Sequence, residues 1–213
     1  MAGEPETLDS DEPLARRVER HHYDRLLMLS DGVFAIAITL LALELRPPEH
    51  WSGGFSDLID QRWRALLGYV LGFLIVAAYW LAHRGVYARM RRVDAPATLI
   101  SLLLLLLVAI APAFVSLIAD YGPKRAAPYF YGLIATIGFV QAALWAYAAF
   151  LGDLVDGAVN RPERLLTLLR LLIAPLLFAI TLALGGASPS AAPILVAVVL
   201  ALAIRRFAGR LAR

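Results

Sequence analysis

Apolar blocks of membrane length recur along this chain, and they leave few folds open to it. They fall at roughly 25–45, 64–83, 98–119, 129–151, 165–184 and 191–208, the sixth being the shortest. The segments between them are short and carry helix breakers: Pro47-Pro48, Gly53-Gly54, Pro96, Gly122-Pro123, Pro162, and Gly185-Gly186 with Pro189. A helix rising about 1.5 Å per residue needs about 20 residues to cross the ~30 Å hydrocarbon core of a bilayer. In lipid, a helix satisfies its backbone polar groups within one segment. The blocks therefore predict an all-α polytopic membrane protein with six transmembrane helices. Composition points the same way, with 60% hydrophobic and only 17% charged residues among 213. Residues 1–24 read as a polar cytosolic tail, 25–208 as the six-helix domain (25–119 for helices one to three, 129–208 for helices four to six), and 209–213 as a basic cytosolic tail.

Orientation follows from the basic residues, which concentrate in cytosolic loops. With the N-terminus inside, the cytosolic side holds Arg16, Arg17, Arg20, Arg25, Arg84, Arg89, Arg91, Arg92, Arg161, Arg164, Arg170, Arg205, Arg206, Arg210 and Arg213. Arg46, Arg62, Arg64, Lys124 and Arg125 are left outside. That asymmetry, with an even number of helices, predicts both termini in the cytosol. It also accounts for the net charge of +3 without a nucleic-acid partner, since the arginines sit between apolar blocks and not on a soluble face. The absence of Cys excludes disulfides, thiolate metal sites and Cys nucleophiles. Of the four His, His21 and His22 lie in the tail and His50 in a loop, so no metal site or catalytic constellation assembles and no enzyme is expected.

The first block is the most informative. Arg25 to Leu45 reads RLLMLSDGVFAIAITLLALEL, with an acid at Asp31 inside a membrane-length helix. Such an acid is costly unless it faces protein, water or a partner charge, which marks it as a functional or structural polar site. At about 100° per residue, Ile36, Leu40 and Leu43 share about 60° of arc, with Thr39 at its edge and Asp31 nearly opposite. The stripe suits a narrow apolar pore, but on its own it is more simply read as packing or lipid contact. Ala37, about 100° from Ile36, reads as lipid-facing. Arg25 and Asp31 are some 120° apart and cannot bond on one straight helix, so each needs a partner elsewhere, with His83 and Ser30 the nearest candidates. Asp31 lies about 9 Å in from Arg25, and the returning second helix brings Trp80 and His83 to the same depth. Arg25, Ser30, Asp31, Trp80 and His83 read as a buried polar clasp that fixes the first helix.

These residues carry a family resemblance. Arg25, Leu29-Ser30-Asp31 and the later Thr39 resemble the Arg-x-x-x-Phe-Ser-Asp signature and downstream Thr of the transmembrane protein 175 family of potassium channels, with Leu29 in place of the Phe. DGVFAIAITLLALEL is similar to prokaryotic members, Trp80 and His83 resemble the family's Trp-x-x-His, and Ala111-Pro112-Ala113-Phe114 its Pro near a Phe. The likeness covers about 25–115. A second copy of the tripeptide, Phe55-Ser56-Asp57, is set aside as an external loop with no membrane-length helix behind it. The resemblance implies a homotetramer in a bacterial plasma membrane, contacting lipid and conducting potassium ions without a cofactor, with the first helices lining the path. It implies aliphatic constriction rings at Ile36, Leu40 and Leu43, beside which Thr39 offers a hydroxyl. Such rings lack ligand oxygens, can gate by dewetting, and favour the more weakly hydrated potassium ion. Glu44 is then a cation-attracting residue at the pore mouth, or simply a solvated helix-end acid. The rival reading is a proton-coupled or proton-leak transporter using Asp31 and His83. No second copy of the motif in helices four to six supports the repeat architecture common in transporters. Pro112 and Pro175 predict kinks, and Gln141 and Thr181 predict interhelical hydrogen bonds.

Overall fold

Helix boundaries in this chain follow its prolines and glycines. The computed structural model describes residues 14–45 and 53–184. Helix α1 (Leu14–Leu40) tightens into a 3-10 turn (Leu41–Glu44) before the Pro47-Pro48 pair, which cannot continue an α-helix. Helix α2 (Phe55–Tyr87) is followed by α3 (Ala95–Ala109), whose N-cap Asp94 accepts from Ala97 N at 2.9 Å. Helix α4 (Ala111–Tyr121) ends at Gly122, whose φ of 79° is a conformation glycine adopts without strain. Helix α5 (Pro123–Ala146) closes in a π turn (Tyr147–Leu151), and α6 (Arg161–Ala183) starts from the N-cap Asn160.

Among the described residues, five stretches are long and apolar enough to cross a membrane: Val18–Leu43, Ala65–Tyr87, Ala95–Ile118, Lys124–Leu151 and Arg161–Ala183. They coincide with the first five apolar blocks. The sixth block, residues 1–13 of the predicted N-terminal tail, the whole predicted C-terminal tail, and His50 lie outside the described residues. Several ends differ from the sequence-based expectation. Phe55-Ser56-Asp57 does not lie in a loop but forms the first turn of α2, and a membrane-length apolar stretch does follow it from Ala65. Polar residues such as Asp60, Arg62 and Arg64 hid the helix, because a helix that emerges from lipid keeps its hydrogen bonds while losing its apolar character. The third block is broken at Ile110 into α3 and α4, with Pro112 in the first turn of α4, where a missing N–H costs nothing. Pro175 stays inside α6 and packs where Gly138 of α5 leaves room: a Cβ on Gly138 would sit 2.7 Å from Pro175 Cβ. This contact helps make α5 and α6 the most extensive helix pair.

Two apolar clusters fill the bundle. One holds Phe34, Leu41, Tyr79, Leu104, Ile134 and Phe178; the other, toward the arginine-rich end, holds Leu26, Val86, Tyr87, Ala97, Trp145 and Leu154. In lipid these clusters are held by close packing and not by exclusion of water. At the arginine-rich end the α2–α3 and α5–α6 loops are sewn together. Arg91 N donates to Leu154 O at 2.8 Å, Asp156 N donates to Arg89 O at 2.9 Å, and Arg91 pairs with Asp153 at 2.8 Å.

Candidate functional site

Helix α1 has two unlike faces. Leu26, Ser30, Phe34, Ala37 and Leu41, spaced four, four, three and four residues apart, are all buried in the subunit, Phe34 and Ala37 to 1% exposure. The expectation that Ala37 faces lipid is therefore wrong: the buried arc begins only about 100° from Ile36, wider than the apolar stripe alone suggested. The opposite face is bare. Ile36 is 59% exposed, Leu40 39% and Leu43 65%, and Leu29, Gly32 and Thr39 are exposed beside them. Thr39 Oγ1 donates to Ile36 O at 2.9 Å, leaving its lone pairs on the exposed side. Glu44 is the last residue of the 3-10 turn that caps this helix.

The clasp residues are distributed unevenly. Trp80 Nε1 donates to Asp31 Oδ1 at 2.7 Å, and the Arg84 guanidinium stands 5.2 Å from the centre of the Trp80 ring. Neither His83 nor Ser30 bonds Asp31. Ser30 Oγ turns back to Leu26 O at 2.8 Å, and the buried His83 ring packs against Phe34 and Tyr87, with centroids 5.6 and 4.7 Å away. Arg25 is exposed. An indole N–H only donates and a carboxyl oxygen readily accepts, so the Trp-x-x-His spacing held the signal for this pair. Sequence reasoning missed a second set of ties at the arginine-rich end. Tyr23 Oη donates to Tyr87 O at 2.7 Å, Tyr87 Oη meets Ser101 Oγ at 2.6 Å, and His22 Nε2 lies 3.3 Å from Thr98 Oγ1. Tyr147 Oη donates to Asp94 Oδ2 at 2.7 Å. Gln141 and Thr181 make no interhelical bond among the described residues: Thr181 donates to Leu177 O on its own helix, and the buried Gln141 amide meets no partner.

The family model described as endosomal/lysosomal potassium channel TMEM175 matches residues 25–112. A potassium channel of Streptomyces collinus is 31% identical over 170 residues, spanning 77% of this chain and 82% of that protein. The chain belongs to the TMEM175 family. The crystal structure of a lysosomal potassium-selective channel TMEM175 homolog from Chamaesiphon minutus matches with a TM-score of 0.69 and 29% identity, covering 89% of this chain and 98% of that one. An endosomal/lysosomal proton channel TMEM175 of Rattus norvegicus is 25% identical over 71% of this chain but only 32% of its own length. TMEM175 proteins are membrane channels and not enzymes, and the family has no cofactor requirement. Among the described residues, no three His, Asp or Glu side chains gather as a metal ion would require.

Proposed function

We propose that this chain is the subunit of a homotetrameric potassium channel in a bacterial plasma membrane, with the bare face of α1 turned to a central conduction path. One subunit contributes one such helix, so a pore requires several copies. The observation that carries the reading is the split character of α1: Ile36, Leu40 and Leu43 are exposed on a helix whose other face is buried. Four copies set these residues as stacked aliphatic rings, with Thr39 hydroxyls beside them and Glu44 at the mouth. A ring of this kind dewets when narrow, and an ion passing it sheds or keeps water without carbonyl replacement, which favours potassium over sodium by a modest factor. The Asp31–Trp80 bond, with the buried Ser30 and His83 beside it, serves to set the depth and angle of α1. In this reading the apolar block 191–208, outside the described residues, supplies a sixth span and both termini are cytosolic, an orientation that the arginine distribution supports. The relatives from Streptomyces and Chamaesiphon, named for potassium, support the choice of ion.

A second reading, proton conduction or proton-coupled transport through Asp31 and His83, is favoured by the vertebrate relatives named as proton channels and by the half-buried, not fully sealed, placing of Asp31. Purified protein in liposomes separates the two. A potassium gradient that drives larger flux than an equal sodium gradient, through a species with the mass of four chains, supports the channel. Proton flux without potassium flux would favour the second reading.

A further inference from the structure

The two apolar clusters do not merge. Followed toward the arginine-rich end, each of four helices leaves the first cluster and meets a buried polar residue before joining the second. Ser30 lies between Phe34 and Leu26 on α1, His83 between Tyr79 and Val86 on α2, Ser101 between Leu104 and Ala97 on α3, and Gln141 between Ile137 and Ala142 on α5. With Thr167, these four make up the buried polar residues among the described residues. Four helices thus bring polar side chains to one layer of the subunit.

The two serines of the layer are satisfied. Ser30 Oγ donates to Leu26 O, and Ser101 Oγ donates to Ala97 O at 2.7 Å while accepting from Tyr87 Oη. The other two residues are not. Neither ring nitrogen of His83 and neither polar atom of the Gln141 amide finds a partner, although the residues are 0% and 1% exposed. Register brings this pair to a common depth. Tyr79, one turn before His83, donates to Ile134 O at 3.0 Å, and its hydroxyl oxygen lies 2.7 Å from where a Cβ on Gly138 would stand. Helices α2 and α5 form the second and fourth spans and so run in the same sense. One further turn along each, past this shared contact, reaches His83 and Gln141.

Buried polar groups in folded proteins are nearly always paired, and the hydrocarbon around this bundle offers them nothing. A neutral imidazole presents one donor and one acceptor, and a carboxamide presents both. Water complements both groups at once, and buried waters commonly make about three hydrogen bonds to such otherwise unsatisfied groups.

We propose that the layer between the two apolar clusters is an internal water site of each subunit, with ordered water hydrogen-bonded to His83 and to Gln141. The site lies on the packed side of α1 and is independent of the conduction path. A structure of the full-length protein at a resolution that shows solvent should place water about 2.7–3.2 Å from both the His83 ring and the Gln141 amide. Density showing the ring bonded directly to the amide, or no solvent between them, would overturn the proposal. Hydroxyl radicals generated in place by X-rays give a second measurement, because they mark side chains that touch bound water. His83 in the wild-type protein should be labelled while Phe178, equally sealed at 0% exposure, stays at background. In Gln141→Leu the His83 label should be lost. An unlabelled His83 in the wild type overturns the proposal even if that variant does not fold, and a label that persists in a folded Gln141→Leu removes Gln141 from the site.

Discussion

Trp80 on α2 donates its indole N–H to Asp31 Oδ1 on α1 across 2.7 Å, and Arg84 stands over the same indole. The bond joins the candidate pore helix to its neighbour within one subunit. It falls on the side of α1 away from Ile36, so it can hold the helix without entering the conduction path.

Trp80→Phe keeps the ring and removes the donor. Thermal unfolding of the purified oligomer should show a loss of about 1–3 kcal/mol, with a similar or larger loss for Asp31→Ala, which strands the indole N–H. Potassium-to-sodium selectivity of the channels that survive should match wild type. A stable Asp31→Ala oligomer with altered selectivity would place the carboxyl group in the path of the ion.

Leu40→Ala and Ile36→Asn act on all copies at once, and each should raise cation flux in liposomes while reducing discrimination between potassium and sodium. Leu169→Ala on α6, where the side chain is 53% exposed, should leave both unchanged. If the Ile36 and Leu40 variants assemble normally and conduct as wild type, the stripe is a packing surface.

Gly138→Ala should destabilise the bundle by about 1–3 kcal/mol through overpacking. The new Cβ would come within 2.7 Å of both Pro175 Cβ and the Tyr79 hydroxyl, and neither belongs to a flexible chain end. Gly68→Ala, whose Cβ would meet nothing within 4 Å, is the control, and unchanged melting of both variants would contradict the α5–α6 packing described above.

At the arginine-rich end, Asp94→Ala should cost more than Arg91→Ala. Asp94 caps α3 and accepts from Tyr147, so its loss is expected to cost about 1–2 kcal/mol. Arg91 pairs with Asp153 across side chains 48% and 74% exposed, and such surface pairs contribute about 1 kcal/mol or less. Melting curves of the two variants in low and high salt compare them, with only the Arg91 contribution expected to shrink in salt.

Tags placed before Met1 and after Arg213 should both be protected from external protease in intact cells. Exposure of one tag alone would require an odd number of spans.

Much of this architecture is legible from hydropathy, because length and apolar character alone decide what crosses a bilayer. The five described spans fall on the expected blocks, and the signature at Arg25, Ser30 and Asp31 points to the family that the comparisons show. Contacts between helices are another matter. A wheel gives angles around one axis but no origin for them, so it puts Ala37 on the wrong side, and it leaves open which member of the clasp bonds Asp31, where the structure has Trp80 and neither His83 nor Ser30. Helix ends beyond the lipid were also hidden, since Phe55 to Arg64 and the start of α1 at Leu14 are helical without being apolar.

The packed face of α1 also limits how a path lined by it could open. Turning the helix about its own axis would pull Phe34, Ser30 and Leu41 out of their sockets and break the bond from Trp80. Lipid would accept the apolar side chains without hydrophobic penalty, but the lost close packing and the stranded carboxyl group would remain uncompensated. In the proposed channel each subunit would then carry its share of the lining as a fixed blade, and dilation would fall to the seams between blades, where whole bundles tilt or slide apart like the leaves of an iris.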